Sequence, residues 1–369
     1  KYNAQLSCGR VQTPTLAMIA KREEEIRGFK PVPYYGLTVM VEKKDGLKQS
    51  MKLQWVEPKS KSNRSFDKDK VKTLLKNLKG REAIVTKVIP SEKRKPAPQL
   101  YDLTELQREA NKKFDFSAKQ TLNIMQRLYE NHKVLTYPRT DSRYLTTDIV
   151  DTLKERLQAI SVGPYRKLAA QVKVIKPSKA FVDNSKVSDH HAIIPTQNIQ
   201  RIDKNALTSG EKAVLELICL RLLCAVSQPY EYSETTVVLS CADNKFTAKG
   251  RAVLNTGWKQ YEMNFRDTMK RTPEKEDDTD AKSLPIVEKG QHFEVLVPGI
   301  KEGKTSPPKH FTEDSLLAAM ETEGAKDMPE DAERKGLGTP ATRAAILEKL
   351  VSAGFVERKK SKKAVQLIP

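Results

Sequence analysis

The chain has 369 residues, and at about 100 to 200 residues per domain this length predicts two to four units. Hydrophobic residues make up 38% and charged residues 31%, which excludes a low-complexity disordered or collagen-like chain and favours a soluble globular protein. The 66 Lys and Arg residues outnumber 47 Asp and Glu residues, and the net charge of +19 attracts polyanions such as nucleic acid. Charge alone names no reaction, and ribosomal, membrane-surface and merely solvated alternatives stay open.

The cysteines indicate a reducing compartment. They are scattered, with no C-x-x-C pair and no neighbouring histidine at zinc spacing: Cys8, Cys219, Cys224 and Cys241. We therefore expect buried thiols in a cytoplasmic protein. No apolar run approaches the roughly 20 residues that span a bilayer, and no signal peptide is recognisable, so no membrane association is expected. The chain has no initiator Met and begins in mid-pattern, which indicates a fragment.

The first hundred residues predict a helix followed by strands. Thr13-Pro14 is typical of a helix start, and apolar residues then fall on one face as far as Gly28, about four turns later. From Tyr34 the apolar period changes to two, and residues 51–56 provide a second strand, which together predict a hairpin. Residues 83–89 predict a further strand.

Helical patterns dominate from about residue 98 to 228. Ser117 to Gln120 has the form of a capping box, and residues 214–226 form a long apolar helix. Residues 235–241 are rich in β-forming side chains and continue towards Trp258, as if the chain returned to the earlier sheet.

The last hundred residues predict a short strand at 293–297, a final helix from Thr339-Pro340 to about Gly354, and a basic hairpin over 355–369. Residues 299–305 imitate a phosphate-binding P-loop. They are one residue short of that motif and run into Pro307-Pro308 instead of a helix, so we interpret them as a turn.

Residues 134–142, Val-Leu-Thr-Tyr-Pro-Arg-Thr-Asp-Ser, contain the most informative candidate site. A tyrosine acts as a covalent nucleophile only when its surroundings activate or position it, because the pKa of free tyrosine is about 10. Arg139, two residues after Tyr137, offers a planar fork of donors that suits the oxygens of a phosphodiester. In isolation such a segment is most often only a turn, so the rest of the sequence has to decide.

Three further segments accompany this one. Residues 6–16 are Leu-Ser-Cys-Gly-Arg-Val-Gln-Thr-Pro-Thr-Leu, residues 188–196 are Ser-Asp-His-His-Ala-Ile-Ile-Pro-Thr, and residues 336–343 are Gly-Leu-Gly-Thr-Pro-Ala-Thr-Arg. Together with residues 134–142 they resemble, in the same order, the motifs of the type IA DNA topoisomerases. Coincidence is a very poor explanation for four ordered motifs, and the resemblance covers nearly the whole chain.

The resemblance implies roles for individual residues. It makes Tyr137 the nucleophile, Arg139 the ligand of the phosphate under attack, and His190 a histidine near that phosphate. Further DNA contacts are expected at Arg10, Gln12, Thr140, Asp141, Ser142, His191, Thr339 and Thr342. His191 stands at a position that varies in the family, and a His-His pair alone is more often a surface or core feature. Thr339 also fits a plain helix N-cap, whose free amides favour phosphate in any case.

The forms Tyr-Pro-Arg-Thr and His-His-Ala-Ile-Ile-Pro-Thr resemble topoisomerase III more than topoisomerase I. One departure agrees with this assignment. The position of Thr339 is an arginine in relatives of topoisomerase I, so that particular DNA contact is not carried over to this chain.

By resemblance, the fold is a multidomain α+β toroidal clamp of the type IA topoisomerases. Its expected parts are a β-rich arch (31–97 and 231–258), a mostly helical gate with Tyr137 (98–230), and a base for single-stranded DNA with winged-helix-like elements (1–30 and 259–369). The N-terminal Toprim domain is expected to be absent, and with it the Mg²⁺ site and a lysine acid, so no metal ligand is expected in this chain. Asp278-Thr279-Asp280 imitates a metal motif, but it lies in a polar run without an apolar strand before it.

The implied activity is ATP-independent cleavage and resealing of one DNA strand through a 5′-phosphotyrosine, with passage of another strand. Expected partners are single-stranded, negatively supercoiled or catenated DNA and a helicase, for a monomer at the bacterial nucleoid. The fragment alone is expected to bind single-stranded DNA without cleaving it. Two alternatives stay open. The helix at Pro340 with the basic hairpin also fits a non-catalytic winged-helix DNA-binding protein, and Tyr137 could serve a nuclease or recombinase.

Overall fold

The computed structural model describes residues 9–43, 50–78, 80–161, 169–170, 172, 175, 177–268, 284–323, 336–362 and 364–369. Within these residues the buried apolar side chains form three clusters, one in a β-barrel, one among the central helices and one among the terminal helices. Cys8 lies outside the described residues, whereas Cys219, Cys224 and Cys241 are buried thiols, as expected. No helix in the described part of the chain is long and apolar enough to cross a membrane.

Six antiparallel strands close into a barrel in the order β1-β2-β5-β4-β3-β6. The strands are β1 (Pro33–Lys43), β2 (Ser50–Trp55), β3 (Glu82–Lys95), β4 (Tyr230–Cys241), β5 (Asn244–Asn255) and β6 (His292–Lys304). The predicted first hairpin is confirmed, with Val39 opposite Leu53. Alternate side chains of β1 point into the barrel, where Trp55, Phe246 and Phe293 are fully buried.

One helix of the barrel region was not anticipated. Helix α2 (Lys68–Leu78) buries Val71, Leu74 and Leu78 in the barrel core. These positions have the i, i+3, i+7 spacing of an amphipathic helix, and Asp67 accepts a hydrogen bond from the Lys70 amide at 3.0 Å. The signal for a helix was therefore present in the sequence.

Strand β6 corrects two expectations. It pairs with β1 from Pro33 opposite Lys304 to Lys43 opposite Phe293, and it also pairs with β3, so it belongs to the barrel and not to the base. Residues 299–304, predicted to be a turn, are part of this strand. The short spacing and Pro307-Pro308 predicted a turn, but a side chain at Gly303 would collide with the ring of Tyr34 on the neighbouring strand, which explains the glycine there.

The central helices form the second core. They are α3 (Leu103–Phe114), α4 (Ala118–Glu130), α5 (Thr147–Val150), α6 (Leu153–Ile160), α7 (Ser209–Ala225) and α8 (Lys259–Thr268). Ser117 caps α4 by accepting a hydrogen bond from the Gln120 amide at 3.1 Å. Helix α8 buries Tyr261 and Phe265 in this core, so its assignment to the base is also wrong.

The terminal helices form the third core. They are α1 (Gln12–Arg27), α9 (Glu313–Thr322) and α10 (Pro340–Ser352), followed by a hairpin of β7 (Glu357–Lys360) and β8 (Val365–Ile368). The predicted first helix, last helix and terminal hairpin are confirmed. Lys363 lies outside the described residues.

Polar contacts join the third core to the central helices. Arg108 of α3 is 2.9 Å from Asp314 of α9, and Glu313 accepts hydrogen bonds from the Ala118 amide at 2.6 Å and from Arg358 at 2.8 Å. Burial raises the pKa of Glu313, although these two donors oppose the shift. This interface brings the N-terminus of α10 to the loop that contains Tyr137.

Candidate active site

The Tyr137 and histidine motifs lie side by side as two short extended segments. The Thr136 amide donates to the Ile194 carbonyl at 3.1 Å, and the Thr196 amide donates to the Val134 carbonyl at 2.9 Å. The Thr136 hydroxyl accepts from the Ile194 amide at 3.0 Å. Segments more than 50 residues apart in the sequence are thus joined into one unit beside the C-terminus of α4.

Two predicted DNA-binding residues use their hydroxyls to hold this unit together. Thr140 donates to the His190 carbonyl at 2.7 Å and accepts from the Ser142 amide at 3.1 Å. Ser142 donates to the Lys186 carbonyl at 2.8 Å. Both side chains are buried, with 2% of Thr140 and 4% of Ser142 exposed. Their contacts in the structure position the loop, and a contact with DNA stays a prediction.

The ring of Tyr137 is half-buried between two other rings. Its centroid lies 4.2 Å from that of the His190 imidazole, with an angle of 39° between the planes. Tyr129, in the last turn of α4, meets it edge to face at 5.6 Å and 84°. The structure therefore places the rings of Tyr137 and His190 next to each other, and the role of His190 near a phosphate stays a prediction.

A cavity of about 160 Å³ opens beside these rings. Its lining combines three of the four motifs: Arg139, Thr140, Asp141, Ser188, Asp189, His190, Thr339, Pro340 and Ala341. Arg139, Asp141, Asp189, His190 and Thr339 are exposed at its rim, so charged and polar groups from separate segments face one small space.

Two glycines shape the turn before α10. Gly336 and Gly338 have φ angles of +62° and +68°, a region that suits glycine. A side chain at Gly336 would collide with the Met320 carbonyl, and one at Gly338 would lie 3.2 Å from a methyl group of Val11. The Gly-x-Gly pattern is therefore a backbone requirement, and Val11 brings the first motif against the last.

Arg343 holds this turn in place from beneath. It is 3% exposed and donates to the Gly338 carbonyl at 3.0 Å and to the Thr104 hydroxyl of α3 at 3.0 Å. Its guanidinium also lies 3.6 Å from Glu321. Burial lowers the pKa of Arg343 and raises that of Glu321. Sequence analysis missed this role, although Arg343 is the last residue of the quoted motif.

Comparison with known proteins shows the family of this chain. The family model described as DNA topoisomerase matches residues 1–367. This chain belongs to the DNA topoisomerase family. It is 46% identical to DNA topoisomerase 3 of Bacillus subtilis, over 100% of this chain and 51% of that protein. It is 44% identical to DNA topoisomerase 3 of Bacillus licheniformis, with the same coverage.

A solved structure resembles this chain over nearly the whole length of this chain. Full-length topoisomerase I from Thermotoga maritima superposes with a TM-score of 0.68 at 25% identity, covering 99% of this chain and 54% of that one. The chain thus spans about half the length of the curated relatives it matches. The relatives confirm the likeness to topoisomerase III, and they do not favour a non-catalytic winged-helix protein.

Arg10, Gln12, His191 and Thr342 are the other residues for which the topoisomerase motifs predict DNA contacts. Arg10 is exposed and Gln12 half-buried at the start of α1, and the Thr342 hydroxyl accepts from the Thr339 amide at 3.1 Å. His191 is half-buried, with Nδ1 2.8 Å from the Ala192 carbonyl oxygen, and burial lowers its pKa. These four residues are not among those that line the cavity, and their contacts with DNA stay predictions.

Mg²⁺, which the topoisomerase resemblance implies for the intact enzyme, has no site in the described residues. They contain no group of three or more His, Cys, Asp or Glu side chains that could hold a metal ion. Asp278-Thr279-Asp280 lies outside the described residues. Asp141 and Asp189 both line the cavity, but two carboxylates without a third ligand do not make such a site. We therefore derive no step through a metal from these residues.

Proposed function

We propose that this chain is the part of a type IA DNA topoisomerase that carries the nucleophile, and that Tyr137 attacks a phosphodiester of one DNA strand. The phenolic oxygen forms a bond to phosphorus, and the bond from phosphorus to the 3′-oxygen breaks. The products are a 5′-phosphotyrosine and a 3′-hydroxyl, and the reverse reaction reseals the strand. Because one phosphodiester replaces another, no ATP is consumed. The observation that carries this proposal is the Tyr137 ring against His190, at the edge of the cavity lined by Arg139.

Arg139 is suited to bind the phosphate under attack. Its side chain is exposed at the cavity and, among the described residues, makes no hydrogen bond or ion pair that would occupy it. The planar guanidinium can offer two parallel donors to phosphate oxygens. His190, whose ring centroid lies 4.2 Å from that of Tyr137, lines the same cavity and supplies a ring nitrogen there. Donors placed before the reaction stabilise charge that develops in the transition state.

The N-terminus of α10 provides further attraction for the strand. Thr339 precedes this helix and lines the cavity with Pro340 and Ala341. Free backbone amides and the helix dipole favour a negative group at this end. In the proposed function, a phosphate next to the one under attack lies here.

For the intact enzyme we propose relaxation of negative supercoils and decatenation, with single-stranded DNA as the cleaved partner. Mg²⁺ and the Toprim domain belong to this wider proposal, as do a helicase partner, a monomeric state and action at the nucleoid. The three cores support the division into gate, arch and base, after α8 is moved to the gate and β6 to the arch.

The decisive experiment uses the intact parent protein and a single-stranded oligonucleotide labelled at its 3′ end. Denaturation during cleavage should trap a labelled protein-DNA adduct in the wild type. Tyr137→Phe should form no adduct and still bind the oligonucleotide, because only the nucleophilic oxygen is lost. Tyr232→Phe, a tyrosine of barrel strand β4, serves as the matched control and should form the adduct normally. An adduct with Tyr137→Phe would refute the assignment of the nucleophile.

A further inference from the structure

The nucleophile belongs to a row of three rings, Tyr129, Tyr137 and His190, which we call the aromatic row. The outer two contact Tyr137 in different ways, since the His190 ring is tilted by 39° against it and the Tyr129 ring stands nearly perpendicular to it at 84°. We propose that Tyr129 is a positioning residue that fixes the orientation of the Tyr137 ring. This inference rests on the proposed function, because it concerns the same reaction.

Tyr129 is well anchored for this role. It lies in the last turn of α4, between Met125 and Leu128, which are fully buried in the central core, and Glu130, where the helix ends. A side chain on a packed helix is held more rigidly than one on a loop. The ring of Tyr129 itself is half-buried, with the Lys133 ammonium 5.8 Å from its centroid.

The backbone between the two tyrosines is also held. The Val134 amide donates to the Leu128 carbonyl at 3.0 Å, which closes the end of α4. Lys133 has a φ angle of +55°, and its carbonyl accepts from the Thr196 hydroxyl at 2.6 Å and from the Asn198 side-chain amide at 3.2 Å. The turn that sets Tyr129 against Tyr137 is therefore tied to the segment that carries His190.

Tyr137 itself needs such support. Its phenolic oxygen must point at phosphorus, yet the residue lies outside any helix or strand and is only half-buried. The tilted His190 ring is one contact of the Tyr137 ring, and the nearly perpendicular ring of Tyr129 is a second contact that further limits how the Tyr137 ring can move. From the typical strength of edge-to-face pairs, we expect this contact to favour the oriented ring by about 2- to 10-fold.

The ring of Tyr129, and not its hydroxyl, carries this role. Among the described residues the Tyr129 hydroxyl has no hydrogen-bond partner. A phenylalanine keeps the aromatic ring that stands nearly perpendicular to Tyr137, whereas a leucine keeps an apolar side chain but has no ring. The two substitutions therefore separate positioning by the ring from general packing.

The test measures single-turnover cleavage and oligonucleotide affinity in the intact parent protein. Tyr129→Leu should slow cleavage by about 2- to 10-fold with unchanged affinity, because the contact orients the nucleophile and does not bind DNA. Tyr129→Phe should retain the wild-type rate. Tyr232→Leu, which breaks the Tyr230–Tyr232 ring pair away from the site, is the matched control and should also cleave normally. Cleavage by Tyr129→Leu at the wild-type rate, or equal slowing by both Tyr129 variants, would overturn the proposal.

A spectroscopic measurement separates this proposal from the proposed function. In the intact protein labelled with 3-fluorotyrosine, the ¹⁹F resonance of Tyr137 is identified by its loss in Tyr137→Phe. It should shift in Tyr129→Leu and stay near its wild-type position in Tyr129→Phe, because only leucine removes the neighbouring ring. An unshifted resonance in Tyr129→Leu would overturn the ring contact. An adduct formed by Tyr137→Phe would instead refute the proposed function and leave the ring contact intact.

Discussion

Thr140→Val removes one buried hydroxyl and keeps the shape of the side chain nearly unchanged. That hydroxyl links the two halves of the candidate active site, because it donates to the His190 carbonyl at 2.7 Å and accepts from the Ser142 amide at 3.1 Å. Thr140 is 2% exposed. We expect the variant to fold but to open locally more often around both motifs.

The size of the effect follows from the groups left without partners. A buried donor or acceptor that loses its partner costs about 1 to 3 kcal/mol. His190 is exposed, so its carbonyl can accept a hydrogen bond from water in place of the lost hydroxyl. Ser142 is only 4% exposed, so its amide has less access to water. We therefore expect a local loss of about 1 to 2 kcal/mol, which corresponds to about 5- to 30-fold faster amide exchange.

Hydrogen exchange followed by mass spectrometry measures this opening directly. Peptides that cover residues 134–142 and 188–196 should exchange faster in Thr140→Val, while barrel peptides keep the wild-type rate. Thr140→Ser retains the hydroxyl and is the matched control, so its exchange at the site should stay close to wild type. Identical exchange in Thr140→Val and the wild type would refute the claim that this hydroxyl joins the two motifs.

Three further predictions concern charge. Arg139→Lys should reduce adduct formation at least about 10-fold with little loss of oligonucleotide binding, because a point charge replaces a planar fork of donors. An adduct yield equal to that of the wild type would contradict the proposed role of Arg139. Burial lowers the pKa of His191, so the unfolded chain takes up a proton that the folded chain resists. Stability should therefore fall as the pH drops below about 6.5. Thermal unfolding of His191→Gln should show a smaller fall. Equal falls in the variant and the wild type would contradict the lowered pKa of His191. The 369-residue chain alone should bind single-stranded DNA better than duplex, more weakly as salt rises, and form no adduct in Mg²⁺, in line with the sequence-based expectation. A flat salt dependence or an adduct would overturn it.

Local patterns predicted several elements well because their physical cause is local. Alternation from Tyr34 to Val41 predicts strand β1, since every second side chain enters the barrel core. Thr339-Pro340 predicts the start of α10 because proline suits the first helical turn. The i, i+3, i+7 spacing of Val71, Leu74 and Leu78 is a local pattern of the same kind, so the sequence also contains the signal for α2.

Other errors came from long-range contacts that no local pattern reports. Residues 299–304 predict a turn by their local pattern, but they continue strand β6 because they pair with β1. Tyr261 and Phe265 were assigned to the base, but α8 packs on the central helices. Domain boundaries depend on which surfaces meet, and that is decided only when the chain is folded.

The sequence by itself determined the family and the candidate chemistry, because the four motifs name residue types whose chemistry suits a phosphodiester. Only the tertiary structure decided which of those side chains share a space. It placed Arg139, His190 and Thr339 around one cavity, turned the hydroxyls of Thr140 and Ser142 inward, and set the ring of Tyr129 against that of Tyr137. Side-chain direction depends on hydrogen bonds between segments about 50 residues apart, and spacing along the chain does not carry that information.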